Sequence, residues 1–152
     1  ASVGDYDLVQ KALAVEGLAL SFWKVALRPG RPMMHGRLGP MHVLGLPGNP
    51  VSAYVCAVLF LVPLIRRLAG RSDVVPAFEA ARLGCDLPQN DERTDYLRAT
   101  LAPGSEGLPV ATPAPVQDSS MLTPLARADC LVVREPHAPA AKAGSPCRIL
   151  RL

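Results

Sequence analysis

"GLPGNPVSAYVCAVLFLVPLIRRLAG", residues 45–70, joins the end of an apolar stretch, a Gly/Pro turn and a long apolar helix. Asn49 is a preferred N-cap residue, and Pro50 suits the first helical position, where its missing N–H is not needed. No charged residue lies between Leu38 and Ile65. The stretch is therefore either a membrane span or the core helix of an α/β layer.

The breaks in this stretch favour the core helix. A bilayer core needs about 20 consecutive apolar residues, whereas Pro40, Pro47, Gly48 and Pro50 leave a helical part of only about 15 before Arg66. We expect Pro63 to interrupt even that part. We predict a soluble helix between a sheet and another layer, and no association with a membrane.

The start of this helix is a candidate anion site. Gly48, Asn49 and Ser52 bring unsatisfied amides and a hydroxyl to the positive end of the helix dipole, which favours phosphate or another oxyanion. The alternative is that Asn49 and Ser52 only cap the helix. The sequence leaves both interpretations open.

The rest of the first region predicts alternating helices and strands. "DLVQKALAVEG" has the apolar spacing of a helix over about residues 7–16, with Gly17 as its left-handed cap. "LALSFWKVAL", "MMHGRL" and "MHVLGL" are strand candidates that end at Pro/Gly turns. The region therefore has the pattern of an α/β domain.

A polar stretch, "AGRSDVVP", predicts a linker near residues 71–76, and we place domains at 1–72 and 73–152. The second region contains "FEAARLGCDL", "DYLRATLA", "LPVATPA", "CLVVRE" and "CRILRL", which are short runs separated by turns. They predict a small all-β domain. "SSMLTPLARA" allows one or two helical turns, because Pro124 limits its length.

Three cations lie around one turn of the first region. "WKVALRPGRP" carries Lys24, Arg28 and Arg31, and together with the Gly-Asn-Pro turn they suggest a ligand with several negative charges. Asp5 and Asp7 precede a predicted helix. Asp5 is either an N-cap or, with Asp7, a ligand of Mg²⁺ that bridges to the oxyanion.

Composition excludes several other functions. Residues 1–70 carry a charge of +4 and residues 71–152 a charge of −1. The basic residues lack the interleaved aromatics typical of nucleic-acid binding, so we expect no nucleic-acid partner. The four cysteines contain no C-x-x-C pair, which argues against zinc and favours a cytoplasmic protein. The abrupt start leads us to expect a fragment of a longer protein.

The motifs "SVGDYD", "FWKVALRPGRP" and "GLPGNPVSA", in this order, resemble the molybdopterin molybdenumtransferases, the family of MoeA and the gephyrin E domain. The resemblance covers the whole chain and is strongest up to residue 70. It implies the C-terminal half of a three-layer molybdopterin-binding α/β domain, followed by the family's β domain. The implied activity is insertion of molybdate into adenylylated molybdopterin, with a divalent cation and release of AMP.

The resemblance also implies roles for individual residues. Asp7 corresponds to the essential acid of the family's "G-[DE]-x-D" element and Asp5 to its looser acidic position, both at a magnesium site. The implied substrate-binding residues are Ser2, Lys24, Arg28, Arg31, Gly48, Asn49 and Ser52. Many members have Lys where this chain has Arg31, and Arg28 likewise replaces a point charge with a planar fork.

Elements that precede this stretch in family members are absent from the sequence. We therefore expect this piece alone to be inactive or nearly so. The resemblance also implies that the full-length protein is a homodimer. The alternative is a non-catalytic module that binds molybdopterin or a nucleotide, or that serves in oligomerisation.

Overall fold

The structure is a computed structural model that describes residues 8–104 and 107–152. The chain divides into two compact units. The first contains the described residues up to Ala26 and Gly30–Val74; the second contains Leu27–Pro29 and Val75–Leu152. The excursion of Leu27–Pro29 into the second unit had no signal in the sequence.

The first unit is mixed α/β, as the sequence predicted. It contains helix α1 (Val9–Val15), strand β1 (Ala19–Trp23) and, after the short strand β2 (Leu27–Arg28) of the second unit, strands β3 (Met34–Leu38) and β4 (Met41–Gly45). α1 ends before Gly17, whose φ of 90° provides the left-handed cap that its sequence indicated.

The sheet of this unit has the strand order β1-β3-β4, and both pairings are antiparallel. β1 and β4 therefore run in the same direction. Trp23 lies opposite Met34, and Met34 lies opposite Gly45, so these three residues form a row across one edge of the sheet. The chain after β1, the chain before β3 and the chain after β4 all meet at this edge.

The prediction of one strand through "LALSFWKVAL" was wrong. β1 ends at Trp23 because Lys24 has a φ of 72°, a left-handed backbone that cannot continue a strand. The chain resumes as β2, which belongs to the second unit and pairs in parallel with a strand of that same unit.

The expectation that Pro63 interrupts the long helix was also wrong. Helix α2 spans Pro50–Leu68 without a break, and its middle, Ala57–Leu61, is a π-helical segment. A wider turn moves a carbonyl away from the proline ring that follows it, which explains how Pro63 is accommodated. By length and composition alone, α2 is apolar enough to cross a membrane; a core helix of a soluble protein passes the same test.

The second unit is a closed β-barrel, and the predicted all-β class is confirmed. Its strands are β5 (Glu79–Leu83), β6 (Thr94–Ala102), β7 (Val110–Pro113), β8 (Cys130–Arg134) and β9 (Pro146–Arg151). They close in the order β6-β7-β5-β9-β8 and back to β6, with β2 added beside the start of β6. Helix α3 (Leu122–Ala126) is one short turn containing Pro124.

The barrel core contains small and branched side chains from all five strands. The buried residues are Ala81, Leu83, Ala99, Ala111, Cys130, Val132 and Ile149, and Leu97 and Leu101 pack against them. Alternation along β6 puts Asp95 on the same face as Leu97, Ala99 and Leu101, near the start of the strand, and Arg98 on the opposite face. Asp95 and Arg98 are both buried.

Candidate functional site

The turn before α2 combines a helix cap with an open backbone. Asn49 Oδ1 accepts a hydrogen bond from the Ser52 amide at 3.1 Å, and its extended backbone makes it an N-cap. Of the first three helical positions, Pro50 has no N–H and the Ser52 amide is bound by Asn49. Only the backbone amide of Val51 therefore remains as a donor. Asn49 therefore does cap the helix, as one interpretation held. The Ser52 hydroxyl and the Val51 amide have no hydrogen-bond partner among the described residues, and both residues are buried.

Gly48 gives this turn room. A Cβ added to Gly48 would meet nothing within 4 Å, and Gly48 is not among the glycines with positive φ. Neither packing nor backbone geometry in the described chain therefore requires glycine at this position. A ligand that approaches the backbone closely would require it.

Lys24 and Arg31 form the base of a loop at the same sheet edge. The Lys24 amide donates to Met33 O at 2.9 Å, and the Val25 amide donates to Arg31 O at 3.0 Å. Lys24 Nζ lies 4.2 Å from the centroid of the Trp23 ring, a cation–π contact. Both cationic side chains belong to exposed residues.

A contact from α2 ties this loop to the helix face that carries Ser52. Cys56 Sγ donates to Gly30 O at 3.7 Å. Ser52 and Cys56 are four residues apart, so they share one face of the helix. Burial raises the pKa of the Cys56 thiol to about 11, so Cys56 is a neutral packing residue at physiological pH. Lys24, Arg31 and Ser52 thus belong to neighbouring segments at one edge.

The structure places Arg28 elsewhere. Its guanidinium makes a bidentate pair with Asp95, with Nε–Oδ1 at 2.8 Å and Nη2–Oδ2 at 2.5 Å, and it also contacts Asp91 Oδ2 at 2.9 Å. These carboxylates raise the pKa of Arg28, chiefly through the hydrogen bond to Asp95. Two negative charges thus already act on this cation.

The stability of the protein at acid pH tests the ion pairs that Asp91 makes with Arg28 and Arg93. The hydrogen bond from the Arg93 side chain, then that from the Arg93 amide, and the charge of Arg28 lower the pKa of Asp91 to about 2. A carboxylate whose pKa falls on folding stabilises the protein above its unfolded pKa, near 4, and loses that contribution as the pH falls towards 2.

We therefore expect Asp91→Asn to reduce the loss of stability between about pH 4 and pH 2, and to add no pH dependence of its own between pH 5 and pH 8. Urea unfolding of both proteins at a series of pH values measures this. Equal acid slopes for wild type and Asp91→Asn would contradict the assignment.

A second candidate site is a cavity of about 400 Å³ in the barrel unit. The charged side chains that line it are Arg28, Asp86, Asp95, Arg98 and Arg134, and Asp86 is paired with Lys142 outside the cavity lining. Arg134 Nη2 donates to the carbonyls of Pro88, Ala138 and Pro139. Arg28 is neutralised by its carboxylates, so Arg98 and Arg134 give this cavity its positive character.

Arg98 is the most deeply buried of these cations, with 1% of the residue exposed. Its Nη2 donates to Asp118 O at 3.2 Å, while its Nε has no hydrogen-bond partner within the described ranges. Burial lowers the pKa of Arg98. Gln117 fixes the backbone here, accepting from Arg98 N and donating to Arg98 O, both at 2.9 Å. Arg98 was missed from the sequence because it looked like a solvent-facing residue of an alternating strand.

The predicted magnesium ligands lie outside the described residues. Ser2, Asp5 and Asp7 belong to the stretch that the structure does not describe, so their geometry stays a prediction. Within residues 8–104 and 107–152, no group of three or more His, Cys, Asp or Glu side chains is arranged to hold a metal ion.

Comparison with known proteins identifies the family. Residues 1–67 match the family described as a probable molybdopterin binding domain, and residues 80–152 match the MoeA C-terminal region, domain IV. The chain belongs to the MoeA family. The resemblance inferred from "SVGDYD", "KVALRPGRP" and "PGNPVSA" is thereby confirmed.

Relatives of this MoeA-family chain carry names from molybdenum cofactor synthesis. The molybdopterin molybdenumtransferase of Haemophilus influenzae is 31% identical over 135 residues, which is 88% of this chain and 33% of that protein. The Drosophila melanogaster molybdenum cofactor synthesis protein cinnamon is 34% identical over 157 residues, covering 99% of this chain and 26% of its own length. The chain thus spans about a third of the length of these curated relatives.

Solved structures agree on the fold. The molybdopterin biosynthesis MoeA protein from Pyrococcus horikosii superposes with a TM-score of 0.72 at 26% identity, over 92% of this chain and 34% of that one. A molybdenum cofactor biosynthesis protein from Pyrococcus furiosus gives 0.71 at 20% identity, over 97% and 55% respectively. The mixed α/β unit followed by a β unit is therefore the fold of this family.

Proposed function

We propose that the protein carrying this chain is a molybdopterin molybdenumtransferase. It delivers molybdate to the dithiolene of adenylylated molybdopterin and releases AMP and the molybdenum cofactor. The observation that carries the proposal is the shared sheet edge, where β1 leads to Lys24, β3 follows Arg31 and β4 leads to the Gly48–Ser52 turn. The names of the curated relatives, of whose length this chain spans about a third, support the same activity.

In this proposal, the first unit holds the oxyanion of the substrate. Lys24 and Arg31 supply the cations, and the Ser52 hydroxyl with the turn amides supplies hydrogen bonds at the positive end of α2. Asn49 holds the turn through its bond to the Ser52 amide. Gly48 leaves the backbone open to the ligand. Arg28 is not assigned a direct contact, because its guanidinium is already bound by two carboxylates.

Asp5 and Asp7 are proposed as the residues that hold Mg²⁺, with Ser2 as a further substrate contact, on the strength of the sequence motif alone. The ion would supply neutralisation of negative charge on the adenylate phosphate. The two carboxylates would otherwise repel an anionic substrate at this site.

The barrel cavity is proposed to take an anionic group of the same class of ligand. Arg98 supports this, since a buried guanidinium with an unpaired Nε is costly unless an acceptor satisfies it. We further propose that the whole protein is a cytoplasmic homodimer and that this chain alone has little activity.

The test is molybdenum insertion by the full-length protein, measured as AMP released from adenylylated molybdopterin in the presence of molybdate. We expect Asp7→Asn to lower the rate by about 100-fold or more. Asp73→Asn is the control, because Asp73 is an exposed carboxylate paired with Arg71. Unchanged turnover in Asp7→Asn would remove Asp7 from the reaction.

The alternative is a non-catalytic module that binds molybdopterin or a nucleotide, or that serves in oligomerisation. It predicts ligand binding without AMP release in the wild-type protein. The same assay, run beside a binding measurement with molybdate, separates the two functions.

A further inference from the structure

The ammonium group of Lys24 lies over an aromatic ring of the same unit. Lys24 Nζ is 4.2 Å from the centroid of the Trp23 ring, inside the distance of about 6 Å at which the negative face of a ring attracts a cation. In residues 8–104 and 107–152, no carboxylate pairs with Lys24. Trp23 is therefore the group that holds this ammonium in the described part of the protein.

The starting points of both side chains are fixed by the backbone. Trp23 is the last residue of β1 and lies directly opposite Met34 of β3, which is 1% exposed, so the Trp23 ring stands on the same face as a buried side chain. Lys24 has the left-handed backbone described above, and its amide is bound to Met33 O. The ring and the lysine stem thus both begin from restrained positions at the sheet edge.

The kind of partner matters for an anion that approaches Lys24. A carboxylate cancels the charge of the cation that it holds, as Asp95 does for Arg28. An aromatic ring attracts the ammonium through its quadrupole and carries no net charge, so Lys24 keeps its full positive charge. The ammonium has three N–H donors, and those that point away from the ring stay free for an oxyanion.

We propose that Trp23 is a positioning residue of the oxyanion site, which acts through Lys24 by holding its ammonium at the sheet edge without neutralising it. A free lysine side chain has many rotamers and loses them when it binds a ligand. A lysine already held over a ring loses fewer, so the ring should raise the affinity for the anion. The part of the inference that concerns an oxyanion rests on the proposed function.

Molybdate binding by calorimetry in the full-length protein tests this role. We expect Trp23→Leu to weaken binding about four-fold and Trp23→Phe to weaken it less, because Phe keeps an aromatic face that attracts a cation more weakly than that of Trp. In a Lys24→Gln background, Trp23→Leu should have no further effect. Unchanged or tighter binding in Trp23→Leu overturns the proposal. An equal loss in the Lys24→Gln background also overturns it, because Trp23 would then act by packing alone.

Phe22→Leu is the matched control. Phe22 precedes Trp23 in β1, is 36% exposed against 38% for Trp23, and points to the opposite face of the sheet. Its ring lies 5.8 Å from the His35 ring, and no described cation lies over it. Phe22→Leu should leave molybdate affinity unchanged. A loss as large as that in Trp23→Leu would assign the effect to the strand and not to the pair of ring and ammonium.

Nuclear magnetic resonance of carbon-13 dimethylated lysines gives a readout that needs no ligand. The ring current of Trp23 should shift the Lys24 methyl signal upfield, and Lys24→Gln assigns that signal. We expect Trp23→Leu to remove the shift and Phe22→Leu to keep it. An unshifted Lys24 signal in the wild-type protein overturns the positioning role whatever the affinities. A shifted signal in a wild-type protein that binds no molybdate confirms that the ring holds Lys24 and overturns the proposed oxyanion site instead.

Discussion

Arg98→Met should make the barrel unit more stable while it removes anion binding from the barrel cavity. A buried guanidinium without a carboxylate partner costs folding free energy, and the Nε of Arg98 has no acceptor in the described part of the chain. Met is apolar and of similar length, and its flexible chain fills the same space. We expect the free energy of unfolding to rise by about 1–3 kcal/mol.

Urea unfolding measures the first effect, and titration with molybdate or AMP measures the second. Arg134→Met is the matched comparison, because Arg134 lines the same cavity and donates to three backbone carbonyls. Removing Arg134 takes this donor from the carbonyls of Pro88 and Pro139, while Ala138 O keeps the Asn90 amide, so this variant should lose stability. If Arg98→Met loses as much stability as Arg134→Met, the hydrogen-bond donors of Arg98 are satisfied in the folded protein and its role is structural.

The secondary structure was predictable where the signal is local. Alternating apolar residues identified the strands of the barrel, and the Asn49-Pro50 pair identified the start of α2. Closure of the barrel was not predictable, because the pairing of β6 with β8 depends on contacts between distant parts of the chain. The path of the chain through Pro63 was missed because a π-helical segment has no clear sequence signal.

The candidate site likewise has a part that the sequence predicted and a part that it did not. Lys24, Arg31 and the Gly48–Ser52 turn follow from sequence position, since strand direction alone brings them to one edge. Arg28 looked equivalent to Lys24 and Arg31 in the sequence. The ion pair that Arg28 makes depends on Asp95, 67 residues further along the chain, which the sequence analysis had assigned only to a strand. Long-range ion pairs of this kind leave no local pattern.

At the predicted oxyanion site, Lys24→Gly should weaken molybdate binding without the loss of stability that other substitutions of Lys24 cause. Lys24 has a φ of 72°, a region that costs a residue with a side chain about 1 kcal/mol and costs glycine almost nothing. We therefore expect Lys24→Gly to be more stable than Lys24→Gln by about 1 kcal/mol, because Gln keeps the strain. Both variants lose the ammonium group, so both should bind molybdate at least about ten-fold more weakly than wild type.

His137 provides the control for this prediction, because it is the other described residue with a side chain and a positive φ, 57°. His137→Gly should relieve similar strain and leave molybdate binding unchanged. If Lys24→Gly binds molybdate as tightly as wild type, the left-handed backbone at Lys24 serves the loop alone and not the ligand. If affinity falls in both Lys24 variants while their stabilities differ by the strain term, the protein maintains a strained backbone in order to hold the Lys24 cation at the sheet edge.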